Sequence, residues 1–169
     1  MPDAVLALGS NLGDSVATLR GAVTALEKTE GIDVVAVSRV VETDPVGGPE
    51  QGVYLNAVVL VRTALEPSDL LAVCQRIETD FDRVREVRWG PRTLDIDVIA
   101  IDGVVSDDPV LTLPHPRAHE RGFVLVPWLD VDPDAVVPDH GRVADLLETV
   151  DVSGVRATYI DLSAAGTVT

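Results

Sequence analysis

The chain has 169 residues, 46% of them hydrophobic, and a formal net charge of −15 from 28 acids against 13 bases. Length and apolar content predict one domain over residues 1–169 with a real core, while the acidic balance excludes generic nucleic-acid binding, which needs a basic footprint. No run of about 18 apolar residues could span a membrane, "MPDAVLALGSN" carries an acid where a signal peptide would be basic, and the single Cys74 allows no internal disulfide, in keeping with a reducing cytoplasm.

"AVLALGS" (4–10) is a short apolar run ending in Gly and Ser, as expected of a buried strand. "GSNLGD" turns the chain, with Asp14 placed to cap a helix. In that helix Leu12, Val16, Leu19, Val23 and Leu26 step by four and three to form one apolar stripe, and Gly31 closes it. "IDVVAVSRVV" (32–41) is β-branched and reads as a strand, the Pro/Gly-rich "TDPVGGPEQG" (43–52) as a loop, and "VYLNAVVLVRT" (53–63) as another strand. Pro67 opens a second amphipathic helix through Leu70, Cys74, Ile77, Phe81 and Val84, in which Cys74 is a core residue. An arginine-rich loop covers 82–92, and "TLDIDVIAI" (93–101) is a third long strand that Gly103 turns. Beyond it, "LTLPHPRAHERGFVLVPWLDV" reads as two short apolar runs around a Pro-His-Pro turn and a polar helical turn, and "HGRVADLLETV" (140–150) as a short final helix. The order β-α-β-β-α-β, with the 32–63 pair forming a hairpin, predicts an α+β fold: a ferredoxin-like sandwich with a largely antiparallel sheet and helices packed on it.

Alternation along 93–101 puts Asp95 and Asp97 on one face with Ile99 and Ile101, and Leu94, Ile96, Val98 and Ala100 on the other. The two aspartates then stand with Cα atoms about 6.6 Å apart. Burying two like charges together is costly unless a cation compensates; Mg²⁺, which takes a carboxylate or two and fills its shell with water and phosphate oxygens, is one solution. A solvated edge-strand face, or salt bridges to nearby arginines, is the other. Twelve of the 13 bases are arginines, and Arg83, Arg85, Arg88, Arg92, Arg117 and Arg121 fall within 39 residues. A guanidinium fork suits phosphate, so the cluster beside the Asp pair points to phosphoryl transfer. It is not a P-loop: there is no G-x-x-x-x-G-K-[ST], and Lys28 is the only lysine. His115 and His119 are four apart, but Pro116 separates them and argues against a zinc pair; His115 is assigned a polar contact to phosphate, and His119 and His140 are left as surface. With two each of Trp, Tyr and Phe in the chain, Trp89, Tyr54 and Phe123 stand out beside loops, where a ring can stack on a heterocycle; Phe81 and Trp128 read as core.

Four segments, "ALGSNLGD" (7–14), "TDPVGGPEQGVYLNAVV" (43–59), "RVREVRWGPRTLDIDVIAIDG" (83–103) and "LPHPRAHERGFVLVPW" (113–128), closely resemble the 6-hydroxymethyl-7,8-dihydropterin pyrophosphokinase family of folate biosynthesis. The resemblance implies transfer of a diphosphate from ATP to the pterin hydroxymethyl group, releasing AMP. It implies two Mg²⁺ ions on Asp95 and Asp97, with Arg83 and Arg92 stabilising transition-state charge. Thr43, Val46 and Asn56 would hydrogen-bond the pterin, and Tyr54 and Phe123 would sandwich it; an amide can pair with a pteridine edge, and an Asn in a strand can equally satisfy a neighbouring backbone. Gln75, Glu78, Arg83, Arg85, Trp89, Arg92, Thr112, His115 and Arg121 would meet ATP, and the loops at 43–52 and 82–92 would close over both substrates. The segment "SDDPV" (106–110) is acidic where some relatives offer a basic residue. A monomer binding only small molecules is expected. Two rival readings, a ligand-sensing regulatory domain and an RNA-binding module on the same scaffold, are opposed by the Asp-x-Asp beside arginines and by the net charge of −15 respectively.

Overall fold

The structure, a computed structural model, describes residues 2–10, 15–43, 54–85 and 94–162, with 82–85 as helix backbone alone. β1 (Asp3–Ser10) is followed by α1 (Ser15–Glu27), β2 (Ile32–Val37), β3 (Arg39–Thr43), β4 (Tyr54–Thr63), α2 (Pro67–Arg85) and β5 (Asp95–Ile101). A hairpin of β6 (Ser106–Asp108) and β7 (Leu111–Leu113), a 3₁₀ turn at Ala118–Glu120 and α3 (Gly122–Val131) come next. The short hairpin β8 (Val136–Val137) and β9 (Gly141–Arg142), α4 (Val143–Leu146) and β10 (Val155–Asp161) complete the order. The main sheet runs β10-β3-β4-β1-β5, with β2 also paired to β4, and every pairing is antiparallel. The β-α-β-β-α-β part is thus the ferredoxin-like α+β arrangement that the pattern predicts. The expected cap Asp14, with Leu12 of the predicted stripe, lies outside the described residues.

The hydrophobic pattern divides between two faces. On one, Leu6, Leu8, Val59, Val61, Ile96 and Val98 of the sheet pack with Leu19, Val23 and Leu26 of α1 and Leu70, Cys74 and Ile77 of α2. On the other, Val5, Val58, Ile99 and Ala100 pack with Val124, Leu125 and Trp128 of α3 and with Val143. The central strands are therefore buried on both sides, which explains why they read as continuous apolar runs rather than as strict alternation. Phe81 packs at the margin of the first core and Trp128 inside the second.

Four features depart from the sequence reading. The expected strand at 32–41 is two strands, because the register against β4 slips between Val34 and Ala36 and again across Ser38. Ser38 heals that break: its N–H donates to the Val58 carbonyl and its Oγ accepts the Val58 N–H, both at 2.9 Å. The apolar run at 122–131 is a helix despite Pro127 inside it; burial against the sheet and the following segments leaves little one-sided periodicity to read. The chain end supplies an edge strand, β10, whose mixed surface pattern gives no apolar face. Finally, Leu6 pairs with Val98 while Val5 pairs with Ala100, so Ile99 is an extra residue in β5. The bulge reverses the expected alternation beyond it: Ala100 joins Ile99 in the α3-side core, and Ile101 joins the α1/α2 side.

Leu6 is fully buried in the central strand. Leu6→Ala is expected to lower the unfolding free energy by about 2–5 kcal/mol, since the cavity is walled by sheet and two helices and cannot collapse. Urea denaturation followed by circular dichroism checks this; a loss below about 1 kcal/mol would contradict the packing described.

Candidate active site

Cross-strand partners in an antiparallel sheet share a face. The register puts Val41, Asn56, Gly9 and Asp95 in one row across β3, β4, β1 and β5, with Ala7 opposite Asp97 in the next register position on the same face. These residues sit where β1 and β3 end and β4 and β5 begin. The start of α3 lies above them with Arg121 and Phe123. The result is an open pocket of about 520 Å³, lined by Ala7, Leu8, Gly9, Thr43, Tyr54, Asn56, Asp95, Asp97, Arg117, Arg121 and Phe123.

Asn56 is buried, and its side-chain amide donates to Thr43 Oγ1 at 2.9 Å. This bond turns the Asn56 carbonyl toward Gly9, where a Cβ would stand only 2.9 Å from Oδ1. Glycine is therefore required by close approach rather than by backbone conformation. A fixed amide beside a hydroxyl, with Tyr54 and Phe123 in the same pocket, presents hydrogen-bonding groups and flat apolar surface suited to a planar heterocycle.

Asp95 and Asp97 are exposed, so of the two readings left open by the sequence it is the solvated edge-strand face that the fold presents, not a pair of charges buried in the core. β5 is an edge strand, so the carboxylates extend into an open pocket rather than into the core. An edge strand also has backbone groups without a neighbouring strand, and Glu78 of α2 satisfies one: its Oε2 accepts the Ile96 N–H at 2.7 Å, between the two aspartates. Leu94, fully buried, anchors the start of the strand. On the far side of the bulge, the Ile99 carbonyl accepts the His115 N–H at 2.8 Å, docking the Pro-His-Pro turn against β5. His115 Nδ1 accepts the Arg117 N–H at 3.2 Å, which leaves the proton of the neutral ring on Nε2. Burial holds the His115 pKa below its ordinary value; Asp97 opposes that shift, and Arg121 and Arg117 add to it. The neutral ring, a hydrogen-bond donor through Nε2, is thus the form favoured at neutral pH. The Arg121 guanidinium lies 5.6 Å from the centre of the Phe123 ring, within cation–π range.

Of the residues singled out in the sequence, the pocket brings together Thr43, Tyr54, Asn56, Asp95, Asp97, Arg121 and Phe123. Glu78 lies behind it, holding β5, and His115 lies beside it. Gln75 is exposed on α2, and Thr112 donates to the Asp108 carbonyl inside the β6–β7 hairpin at 3.0 Å; neither lines the pocket. Arg83 and Arg85 fall in the last turn of α2, but their side chains are outside the described residues. Val46, Trp89 and Arg92 also fall outside them, with most of the loops at 43–52 and 82–92. Sequence reasoning gave no role to Gly9, and it counted Arg117 only collectively, in the arginine cluster suited to phosphate, without assigning it a substrate contact. His119, expected at the surface, is half-buried and stacks on the exposed His140 with ring centres 3.7 Å apart. No group of three or more His, Cys, Asp or Glu side chains suited to a metal occurs among the described residues.

Paired carboxylates, guanidinium groups and aromatic walls in one pocket on a ferredoxin-like sheet define an enzyme that moves phosphoryl groups onto a small ring-bearing substrate. Residues 5–133 match the family signature of 7,8-dihydro-6-hydroxymethylpterin-pyrophosphokinase, and the chain belongs to that family, whose members act in folate biosynthesis. It is 48% identical over 156 residues to the 2-amino-4-hydroxy-6-hydroxymethyldihydropteridine pyrophosphokinase of Methylorubrum extorquens, covering 92% of this chain and 98% of that one. Identity to the Bacillus subtilis enzyme of the same name is 44% over 128 residues, 76% of this chain and 77% of the other. Among solved structures, wild-type HPPK-DHPS of Plasmodium falciparum superposes with a TM-score of 0.69 at 15% identity. That match covers 95% of this chain and 48% of the Plasmodium chain, so this chain spans about half the length of the solved protein, and the likeness concerns the fold.

Two expectations follow from the geometry. Gly9→Ala should displace the Asn56 carbonyl and strain its bond to Thr43, lowering the unfolding free energy by about 1–3 kcal/mol in urea denaturation; unchanged stability would contradict the placement of Asn56. Cys74 is fully buried, and burial, with Glu78 and Asp97 adding to it, pushes its thiol from an ordinary 9.0 to about 12. The thiolate fraction then falls roughly a thousandfold. Ellman's reagent should modify the native protein far more slowly than the urea-unfolded chain, and comparable rates would refute the burial.

Proposed function

We propose that this pocket transfers an intact diphosphate from ATP to the hydroxymethyl oxygen of 6-hydroxymethyl-7,8-dihydropterin, giving AMP and the pterin diphosphate. The observation that carries the reading is the placement of Asp95 and Asp97 on one face of an edge strand, opening into the pocket that Asn56, Phe123 and Arg121 also line. The hydroxymethyl oxygen attacks the β-phosphorus, and the bond from that phosphorus to the oxygen of the α-phosphate breaks. Thr43, Asn56, Tyr54 and Phe123 hold and orient the pterin. Arg121 and His115 Nε2 face the nucleotide, and Glu78 acts through the backbone by fixing the strand that carries the aspartates.

The donor set fits a magnesium site. Each unscreened carboxylate–phosphate pair at about 4 Å is repelled by roughly 1–4 kcal/mol in water or near a protein surface. Asp95 and Asp97 would therefore weaken ATP binding unless divalent cations stood between them and the phosphates. Oxygen donors that are exposed, and that join no group of three or more His, Cys, Asp or Glu side chains among the described residues, suit Mg²⁺, which keeps much of its water. Asp95 and Asp97 are the residues that would hold two such ions. Bound there, Mg²⁺ would neutralise phosphate charge and lower the proton affinity of the substrate hydroxyl.

Incubation with Mg²⁺, ATP and the hydroxymethyl dihydropterin, followed by nucleotide chromatography, tests the proposal. AMP must appear in step with the pterin diphosphate; ADP, or no turnover, overturns it. Asp97→Asn, nearly isosteric, should lower kcat at least a hundredfold while the thermal midpoint stays within a few degrees of wild type. Retention of full activity would contradict the metal assignment.

A further inference from the structure

We infer that Arg117 is a phosphate-binding residue of this site, and that Glu120 holds its guanidinium in reserve until the nucleotide arrives. The inference rests on the pyrophosphokinase reading and concerns a residue to which that reading assigned no role.

Arg117 lines the same pocket as Asp95, Asp97 and Arg121. Its backbone is fixed: its N–H donates to His115 Nδ1, the next N–H, of fully buried Ala118, donates to the His115 carbonyl, and His115 itself is tied to Ile99. Its side chain is held differently. It is 67% exposed, and its Nε is 3.6 Å from an oxygen of Glu120, itself 57% exposed. An exposed pair of this kind, three residues apart, contributes little and yields readily to a stronger anion. Arg121, the other cation, already has its guanidinium engaged 5.6 Å from the centre of the Phe123 ring. Among the described residues these two are the only cations lining the pocket, and the neighbouring β6–β7 hairpin presents exposed Asp107 and Asp108. A polyphosphate entering here meets Arg117 as the cation with a fixed root and a loosely engaged head. Exchange of one carboxylate for phosphate oxygens keeps the guanidinium paired throughout, so no unpaired charge is created. The fork geometry then allows two hydrogen bonds to the diphosphate that is being transferred.

The proposal predicts opposite effects from the two ends of the ion pair. Removing the arginine weakens diphosphate binding, and neutralising its competitor strengthens it. Titration calorimetry with Mg²⁺ and α,β-methylene-ATP should show Arg117→Ala binding about ten- to a hundredfold more weakly than wild type, the range set by one charge-assisted contact. Arg117→Lys should recover only part of that loss. Glu120→Gln should bind the analogue two- to fivefold more tightly. AMP and the unphosphorylated pterin should bind all four proteins alike. If both Arg117→Ala and Glu120→Gln weaken binding, or shift AMP as much as the triphosphate analogue, the pair is merely structural and the inference fails. It fails equally if Arg117→Ala binds the analogue as wild type does. If wild type yields ADP instead of AMP, the functional reading fails, and the calorimetry still decides whether Arg117 meets phosphate.

Discussion

The site depends on β1 lying between β4 and β5 with Gly9 opposite both Asn56 and Asp95. A strand with neighbours on both sides fixes two registers at once, and a slip of one residue in either would turn a side chain to the opposite face. Here a slip against β4 would take Asn56 out of the pocket, and a slip against β5 would bury Asp95 and Asp97 in the α1/α2 core. The apolar residues on the other face resist both. Leu6, Leu8, Ile96 and Val98 bury together only in the observed register. Core packing thus positions the aspartates, although neither belongs to the core.

The bulge at Ile99 extends that control. Before it, β5 directs the carboxylates into the pocket; after it, the strand commits its side chains to both cores, and the Ile99 carbonyl receives the His115 N–H. The turn at 115–118 is therefore referenced to the same strand that carries Asp95 and Asp97. Glu78 grips that strand from the helix side. Anionic and cationic parts of the site are held against one ruler, which suits a reaction that depends on placing opposite charges around a polyphosphate.

What was legible in the sequence and what was not divides along physical lines. Alternation is local, so the shared face of Asp95 and Asp97 could be read from seven residues. The stripes of α1 and α2 are equally local, because each helix buries one side. The bulge at Ile99 and the break at Ser38 are properties of a pairing, and nothing in either strand alone marks the extra residue. α3 has apolar residues around most of its circumference and a proline within it, so it mimics a buried strand. β10 is recognised only by what it pairs with. In the site, Tyr54 and Phe123 were conspicuous as aromatic residues beside loops, whereas Asn56, inside a strand, stood out only through the family resemblance. Arg117 was one of six clustered arginines until the hydrogen bonds to His115 fixed where its side chain starts.

The same reasoning explains how a chain with net charge −15 handles a polyanion. Overall charge acts over many ångströms and is screened beyond about 10 Å at ordinary ionic strength, so it slows encounter without governing the bound state. Within the pocket the balance is local: two carboxylates against two guanidinium groups among the described residues. Such a pocket has little net attraction for a bare polyphosphate. Under the proposed function, divalent ions on the carboxylates would remove that repulsion, and Arg121 and Arg117, the latter exchanging Glu120 for phosphate, would then meet the nucleotide. On this view the aspartates make nucleotide binding conditional on the metal, and the acidic surface strengthens that condition by enriching divalent cations and repelling ATP that arrives without one.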